Sequence, residues 1–279
     1  QGAHEPRPFA RRGLPRNRGA RERLSGGMSG TRDECVFMAR LAEQAERYED
    51  MVEYMKRVAL IGTELNLDER NLFSVAFKQA VGSRRQAWRA VNTLEKREAA
   101  ASKGAAILEL VQRYREKVEA ELNGKCREVL KILFDELIPK AGSSESKVFY
   151  LKMKGDYHRY LAEFATGETH SKCSQEAHDA YQSASETAIS ELPPTHPVRL
   201  GLALNFSVFY YEVFSSPEKA CLLSKAAFDD AMAVMDRLDE DSYKDSAAIM
   251  QLLRDNLTLW TSDMQSPGSH TDGLIAEDL

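Results

Sequence analysis

Glycine and proline are scarce where a fold would lie. Between Thr31 and Met264 the chain has eight glycines and five prolines in 234 residues. So few breakers leave little room for a turn-rich β-architecture and favour helix. Four cysteines, at 35, 126, 173 and 221, make no CxxC pair and no dense framework, which excludes a disulfide scaffold and makes a reducing compartment the default. No apolar stretch reaches 18 residues and no signal-peptide pattern is present, so neither a membrane span nor secretion is indicated. A cytoplasmic protein is expected, with the nucleus open. A glycine-rich phosphate loop, HExxH and GxSxG are also missing, which argues against an enzyme and against a bound cofactor. Charge is mildly acidic, with 38 basic against 43 acidic side chains in 279 residues.

The charge is unevenly spread. Residues 1–30 hold seven arginines and two glutamates, a net +5, together with six of the sixteen glycines and three of the nine prolines. With almost no apolar periodicity, this stretch reads as a disordered leader outside the fold. Its opening Gln1-Gly2 matches what a protease leaves on removing a purification tag, so part of the leader is read as non-native. A basic arm suits RNA or anionic lipid, but an untethered terminus is the plainer reading, and nucleic acid is not expected as a main partner.

From 31 to 264, Ala, Leu, Glu, Lys and Arg are abundant, and apolar residues recur at helical spacing, as in Val75, Phe77, Val81, Trp88, Val91 and Leu94. Punctuation near Arg47 and at Gly62–Leu67, Ser102–Gly104, Pro139–Ser144, Gly167–Thr169, Pro193–Pro197, Ser215–Pro217 and Asp239–Ser242 divides the region into about nine helices. Short connections predict antiparallel neighbours in a single all-α domain. Residues 265–279 read as a flexible acidic tail.

Four faces carry chemistry. Lys78, Arg85 and Arg89 fall within about 40° of one another on one helix. Cations in register repel and call for an anion, although a solvated face paired with Glu69 or Glu95 explains them as well. Arg159 and Tyr160 follow in an aromatic helix. Were they to meet the first stripe, guanidinium forks would suit a phosphate; the alternative is that Tyr157 and Tyr160 pack while Arg159 covers them. Finally, Asn205 and Glu212 flank Val208 on a helix too apolar for the surface, and Ile249, Leu252, Asn256 and Trp260 form a similar mixed stripe. An asparagine amide can both donate to and accept from a peptide backbone. Each stripe alone could be ordinary core, but together with the basic residues they outline a two-sided groove. His170, Cys173 and His178 span about 140° of one helix without an evident fourth ligand, so no metal is expected. His196, at a helix start, reads as structural.

Longer motifs add a resemblance. RNLFSVAFK at 70–78, YKDS at 243–246 and IMQLLRDNLTLW at 249–260, with LAEQAERY at 41–48, SKVFYLKMKGD at 146–156 and THPVRLGLALNFSVFYYE at 195–212, closely resemble the 14-3-3 family. The likeness runs over about residues 31–264. It implies a nine-helix, all-α subunit that dimerises into a cup or W, with one amphipathic groove per subunit and no catalysis or cofactor. Arginine clusters are a known way of reading phosphorylated motifs, and this family is an instance of it. By motif match, Lys78, Arg85, Arg159 and Tyr160 would hold the phosphate of a phosphoserine or phosphothreonine, supported by Arg89. Asn205 and Asn256 would bond the ligand backbone, with Glu212 and Trp260 beside them and Leu204, Val208, Ile249 and Leu252 as the apolar wall. The implied function is an adaptor that clamps, masks or scaffolds phosphorylated clients as a homodimer or as a heterodimer with related subunits.

For that dimer the resemblance points to Leu41 and Ala45 packing near Trp88 and Tyr114, with cross-subunit pairs Arg47 to Glu121 and Asp50 to Lys117. Several positions depart from the family pattern. His158 stands where members usually carry tyrosine, which makes phosphate affinity pH-sensitive unless the ring faces away from the groove. Ala87 stands where several members have a phosphorylatable serine whose modification loosens the dimer, so that switch is expected to be absent. Residues 96–106 are about three longer than usual, which is expected to alter a loop only, and the leader has no counterpart. A 34-residue repeat, which a helical solenoid would need, is not visible.

Overall fold

Helix starts along this chain follow side-chain chemistry. Thr31 accepts a bond from the Glu34 amide while Glu34 reaches back to the Thr31 amide, and Asn66 and Glu69 repeat this reciprocal box. Ser143 caps through the Ser146 amide, and Pro197 and Pro217 occupy first-turn positions where their missing N–H costs nothing. The computed structural model describes residues 30–101 and 104–265. Among these are nine α-helices and no strand: α1 Arg32–Gln44, α2 Tyr48–Leu60, α3 Leu67–Ala100, α4 Ala105–Ile132, α5 Ser144–Phe164, α6 Gly167–Glu191, α7 Pro197–Glu212, α8 Pro217–Met232 and α9 Glu240–Gln265. The readings of the leader, of the tail and of part of the 96–106 connection fall outside the described residues.

Boundaries differ from expectation at two places. Gly167, at φ +56°, opens α6 after Thr166 and does not interrupt it. The last break lies at 233–239, earlier than read, because the Asp239 carboxylate accepts from the Ser242 amide at 3.0 Å and so starts α9. Around Pro139 the chain leaves α4 through a π turn, Leu133–Leu137, and a 3-10 turn, Ile138–Lys140.

Each helix packs on its successor, and α5 also meets α7 while α7 meets α9. The core is correspondingly extended. One cluster, with Met51, Met55, Phe73, Phe77, Leu122, Leu133 and Tyr150, joins α1 to α5. A second, with Tyr181, Leu202, Phe206 and Phe209, joins α5, α6 and α7, and a third, with Leu200, Leu204, Met250 and Leu253, joins α7 to α9. Helices α5 and α6 approach closely at Gly155, where any Cβ would stand 2.6 Å from the Tyr181 ring. Helices α5 and α6 therefore touch where a side chain is absent. No helix among the described residues is long and apolar enough to cross a membrane.

Candidate functional site

The stripe on α3 meets α5. The Arg85 guanidinium lies 3.9 Å from the centre of the Tyr160 ring, and that of Arg159 lies 4.9 Å from it. Arg85 donates Nε to Glu163 Oε2 at 2.9 Å, and Arg89 donates Nε to Oε1 of the same carboxylate at 2.5 Å. Glu69 and Glu95, the partners considered from sequence, are engaged elsewhere: Glu69 with Arg32 at 2.6 Å and Glu95 with Arg115 at 2.5 Å. Arg85, Arg159 and Tyr160 are buried, Lys78 is partly buried and Arg89 is exposed. Two guanidiniums of the basic site, Arg85 and Arg159, thus meet at the Tyr160 ring, with Arg89 tied to Arg85 through Glu163.

Behind the ring runs a buried polar network. Arg159 donates Nε to the Tyr181 hydroxyl at 3.3 Å, and Tyr181 donates to Asp156 Oδ1 at 2.6 Å. The same Oδ1 accepts Asn205 Nδ2 at 2.8 Å, while Oδ2 accepts Lys152 Nζ at 3.0 Å. Burial, and then the neighbouring Asp156 charge, hold the Tyr181 phenol well above its usual range, so it remains a donor. Arg159 also pairs with Glu212 on α7 at 3.4 Å. Lys152, Asp156, Glu163 and Tyr181 were not singled out from sequence. The Lys152–Asp156 spacing of four was visible, but such pairs are common on any charged helix.

The two mixed stripes face each other. Leu204 of α7 shares a cluster with Ile249 and Leu252 of α9, and Val208 shares the next with Trp260. Asn256 is buried on the same face of α9. Trp260 stacks on Tyr211, with ring centres 5.1 Å apart and planes 17° from parallel. Tyr211 in turn donates to Asp263 at 2.7 Å, and burial together with that bond raises its phenol to about 12. Two buried polar atoms here, Asn205 Oδ1 and Trp260 Nε1, have no hydrogen-bond partner. Buried groups of this kind are normally satisfied.

Compared with known proteins, residues 38–261 match the family model described as 14-3-3 protein. The chain belongs to the 14-3-3 family. It is 59% identical over 236 residues to 14-3-3 protein epsilon of Drosophila melanogaster, covering 84% of this chain and 89% of that one. Protein BMH2 of Saccharomyces cerevisiae is 58% identical over 241 residues, covering 86% and 88%. Checkpoint signal transducer rad24 of Schizosaccharomyces pombe is 56% identical over 248 residues, covering 87% and 91%.

In this 14-3-3 chain the residues read as a dimer face are mostly at the surface. Leu41 and Tyr114 are about half exposed, and Ala45, Lys117 and Glu121 are also exposed. Three further apolar residues, not singled out from sequence, are exposed on the same two helices: Phe37 one turn from Leu41 on α1, and Ile107 and Leu110 preceding Tyr114 on α4. Trp88 lies differently. Its indole is buried within its own subunit, donating to Glu119 at 2.8 Å and packing on Phe164. Within the chain Arg47 pairs with Asp50 at 2.6 Å, so a cross-subunit pairing of either would exchange this contact.

The histidines have other surroundings. Among the described residues no group of three His, Cys, Asp or Glu could hold a metal. His178 packs among Phe206, Tyr210 and Phe214, and His196 caps α7 by accepting the Val198 amide at 3.2 Å.

Proposed function

We propose that this 14-3-3 protein is a phosphoserine- and phosphothreonine-dependent adaptor, not an enzyme, that holds phosphorylated clients in the groove between α3, α5, α7 and α9 and acts as a dimer in the cytoplasm. The observation that carries the reading is the meeting of Arg85 and Arg159 over one Tyr160 ring, within bonding reach of Arg89 through Glu163. Glu163 and Glu212 already offset part of this positive charge, and a phosphate ester, with a charge of about −1.5 to −2 and three acceptor oxygens, is an anion whose geometry suits guanidinium forks. The unpartnered Asn205 Oδ1 and Trp260 Nε1 supply an acceptor and a donor suited to a peptide backbone beside it. A relative named as a checkpoint signal transducer is in keeping with such a role.

The dimer reading rests on the apolar ladder of Phe37, Leu41, Ile107, Leu110 and Tyr114, which the single chain leaves at its surface. The phosphate reading is tested by titrating a phosphoserine peptide and its unphosphorylated twin against wild type and Arg85→Ala. Wild type is expected to bind only the phosphorylated form. The variant should lose at least about tenfold, since a charge-assisted bond contributes roughly 1.5–3 kcal/mol. Equal binding of the two peptides by wild type would sink the reading.

A further inference from the structure

Every bond around Asp156 has a forced direction. Lysine and arginine only donate, so Lys152 gives a proton to Oδ2 and Arg159 gives one to the Tyr181 oxygen. Tyr181, with its oxygen accepting, must point its own hydrogen at Asp156 Oδ1. A carboxylate oxygen already receiving that hydrogen can meet the Asn205 amide only through the NH2 end, 2.8 Å away. Asparagine has two ends, and the orientation of one determines the other. The Asn205 carbonyl oxygen is therefore turned away from Asp156, and it is the end that is buried without a partner.

We infer that Asp156 is a positioning residue which fixes the polarity of Asn205, so that this subsite reads a backbone N–H of the ligand and not a backbone carbonyl. The inference rests on the phosphopeptide reading above and adds to it. Asn205 by itself could turn either end to a peptide; the Asp156 carboxylate removes one of the two choices. Asp156 is well placed to do so because it is buried and held from three sides by Lys152, Tyr181 and Asn205, on α5, α6 and α7. A second consequence concerns the phosphate. The same carboxylate is linked through Tyr181 to Arg159, so the backbone-reading amide and the phosphate-reading guanidinium are held in one rigid frame.

The test uses the full chain and a phosphoserine peptide in which each amide within two residues of the phosphoserine is replaced, one at a time, by an ester. An ester removes the N–H and keeps a carbonyl. Wild type is expected to lose about fivefold or more in affinity at one ester position, the usual worth of one neutral hydrogen bond. In Asp156→Ala, which frees the Asn205 amide to turn, that penalty should shrink to within twofold. In Asp156→Asn, whose side-chain oxygen can still accept from Tyr181 and Asn205, the penalty should persist even though overall affinity falls. Because the penalty is a ratio measured on one protein, a general loss of stability does not move it.

An ester penalty as large in Asp156→Ala as in wild type would overturn the inference. So would the absence of any ester penalty in wild type, a result that needs no variant to fold. Failure of the phosphopeptide reading itself would show separately, as equal binding of the phosphorylated and unphosphorylated amide peptides.

Discussion

At position 158 a histidine stands near Glu176, Lys154 and Arg127, on α6, α5 and α4, and burial lowers its imidazole to about 4 while leaving Nδ1 without a partner. Such a ring is neutral between pH 5 and 8. A histidine-borne pH dependence of phosphate affinity, one of the two readings open from sequence, is therefore not expected in that range; affinity lost near pH 6 belongs to the phosphate, whose second pKa lies there. The consequence for stability has a definite sign. The unfolded chain takes up the proton near 6.5 and the folded chain only near 4, so between these values the unfolded state binds more protons and stability falls as pH falls. Denaturant titrations at pH 7 and 4.5 should show wild type losing on the order of 2 kcal/mol more than His158→Tyr. Parallel losses in the two proteins would mean that the ring protonates freely in the folded state.

Between elements, the contact of α5 with α6 depends on an absent side chain. A methyl group at Gly155 would press on the Tyr181 ring, and that ring carries the hydroxyl bridging Arg159 and Asp156. Gly155→Ala gains helix propensity, which alone is worth up to about 1 kcal/mol in favour of the variant. Overpacking acts in the opposite sense at about 1–3 kcal/mol, and with backbone on one side and a fully buried ring on the other it should prevail. The variant is expected to melt lower and to bind phosphopeptide more weakly, measured by thermal unfolding and by anisotropy. A higher melting temperature would show that the helices separate easily.

For the whole molecule, the proposed dimer decides how strongly a client is held. Two grooves on one body turn the second phosphosite of a client into an intramolecular ligand, adding about 10²–10⁴ in avidity when the spacing suits. The apolar ladder on α1 and α4 is where that body would be joined, and surface ion pairs such as those of Arg47 or Asp50 contribute little alone. Phe37→Glu combined with Leu110→Glu should yield a monomer by analytical ultracentrifugation. It should keep its affinity for a singly phosphorylated peptide and lose the advantage of the doubly phosphorylated one. A double variant that still sediments as a dimer would place the interface elsewhere.

Much of this protein was already determined along the chain. Helical periodicity, scarce breakers and capping residues such as Thr31, Asn66 and Ser143 establish nine helices, because these are local properties of a few consecutive residues. The α3 stripe of Lys78, Arg85 and Arg89 and the mixed stripes on α7 and α9 are local too, since a face follows from spacing on one helix. What crosses between helices was not legible. Nothing in sequence spacing says that Glu163 binds Arg85 and Arg89, or that Glu69 and Glu95 are taken by Arg32 and Arg115. Nor does it say that Trp88 turns inward to Glu119, or that Asp156 orients Asn205 from 49 residues away. Those pairings depend on which faces meet and at what depth. Only the packed tertiary structure decides that, because burial leaves few geometries in which a charge or an amide can be paired.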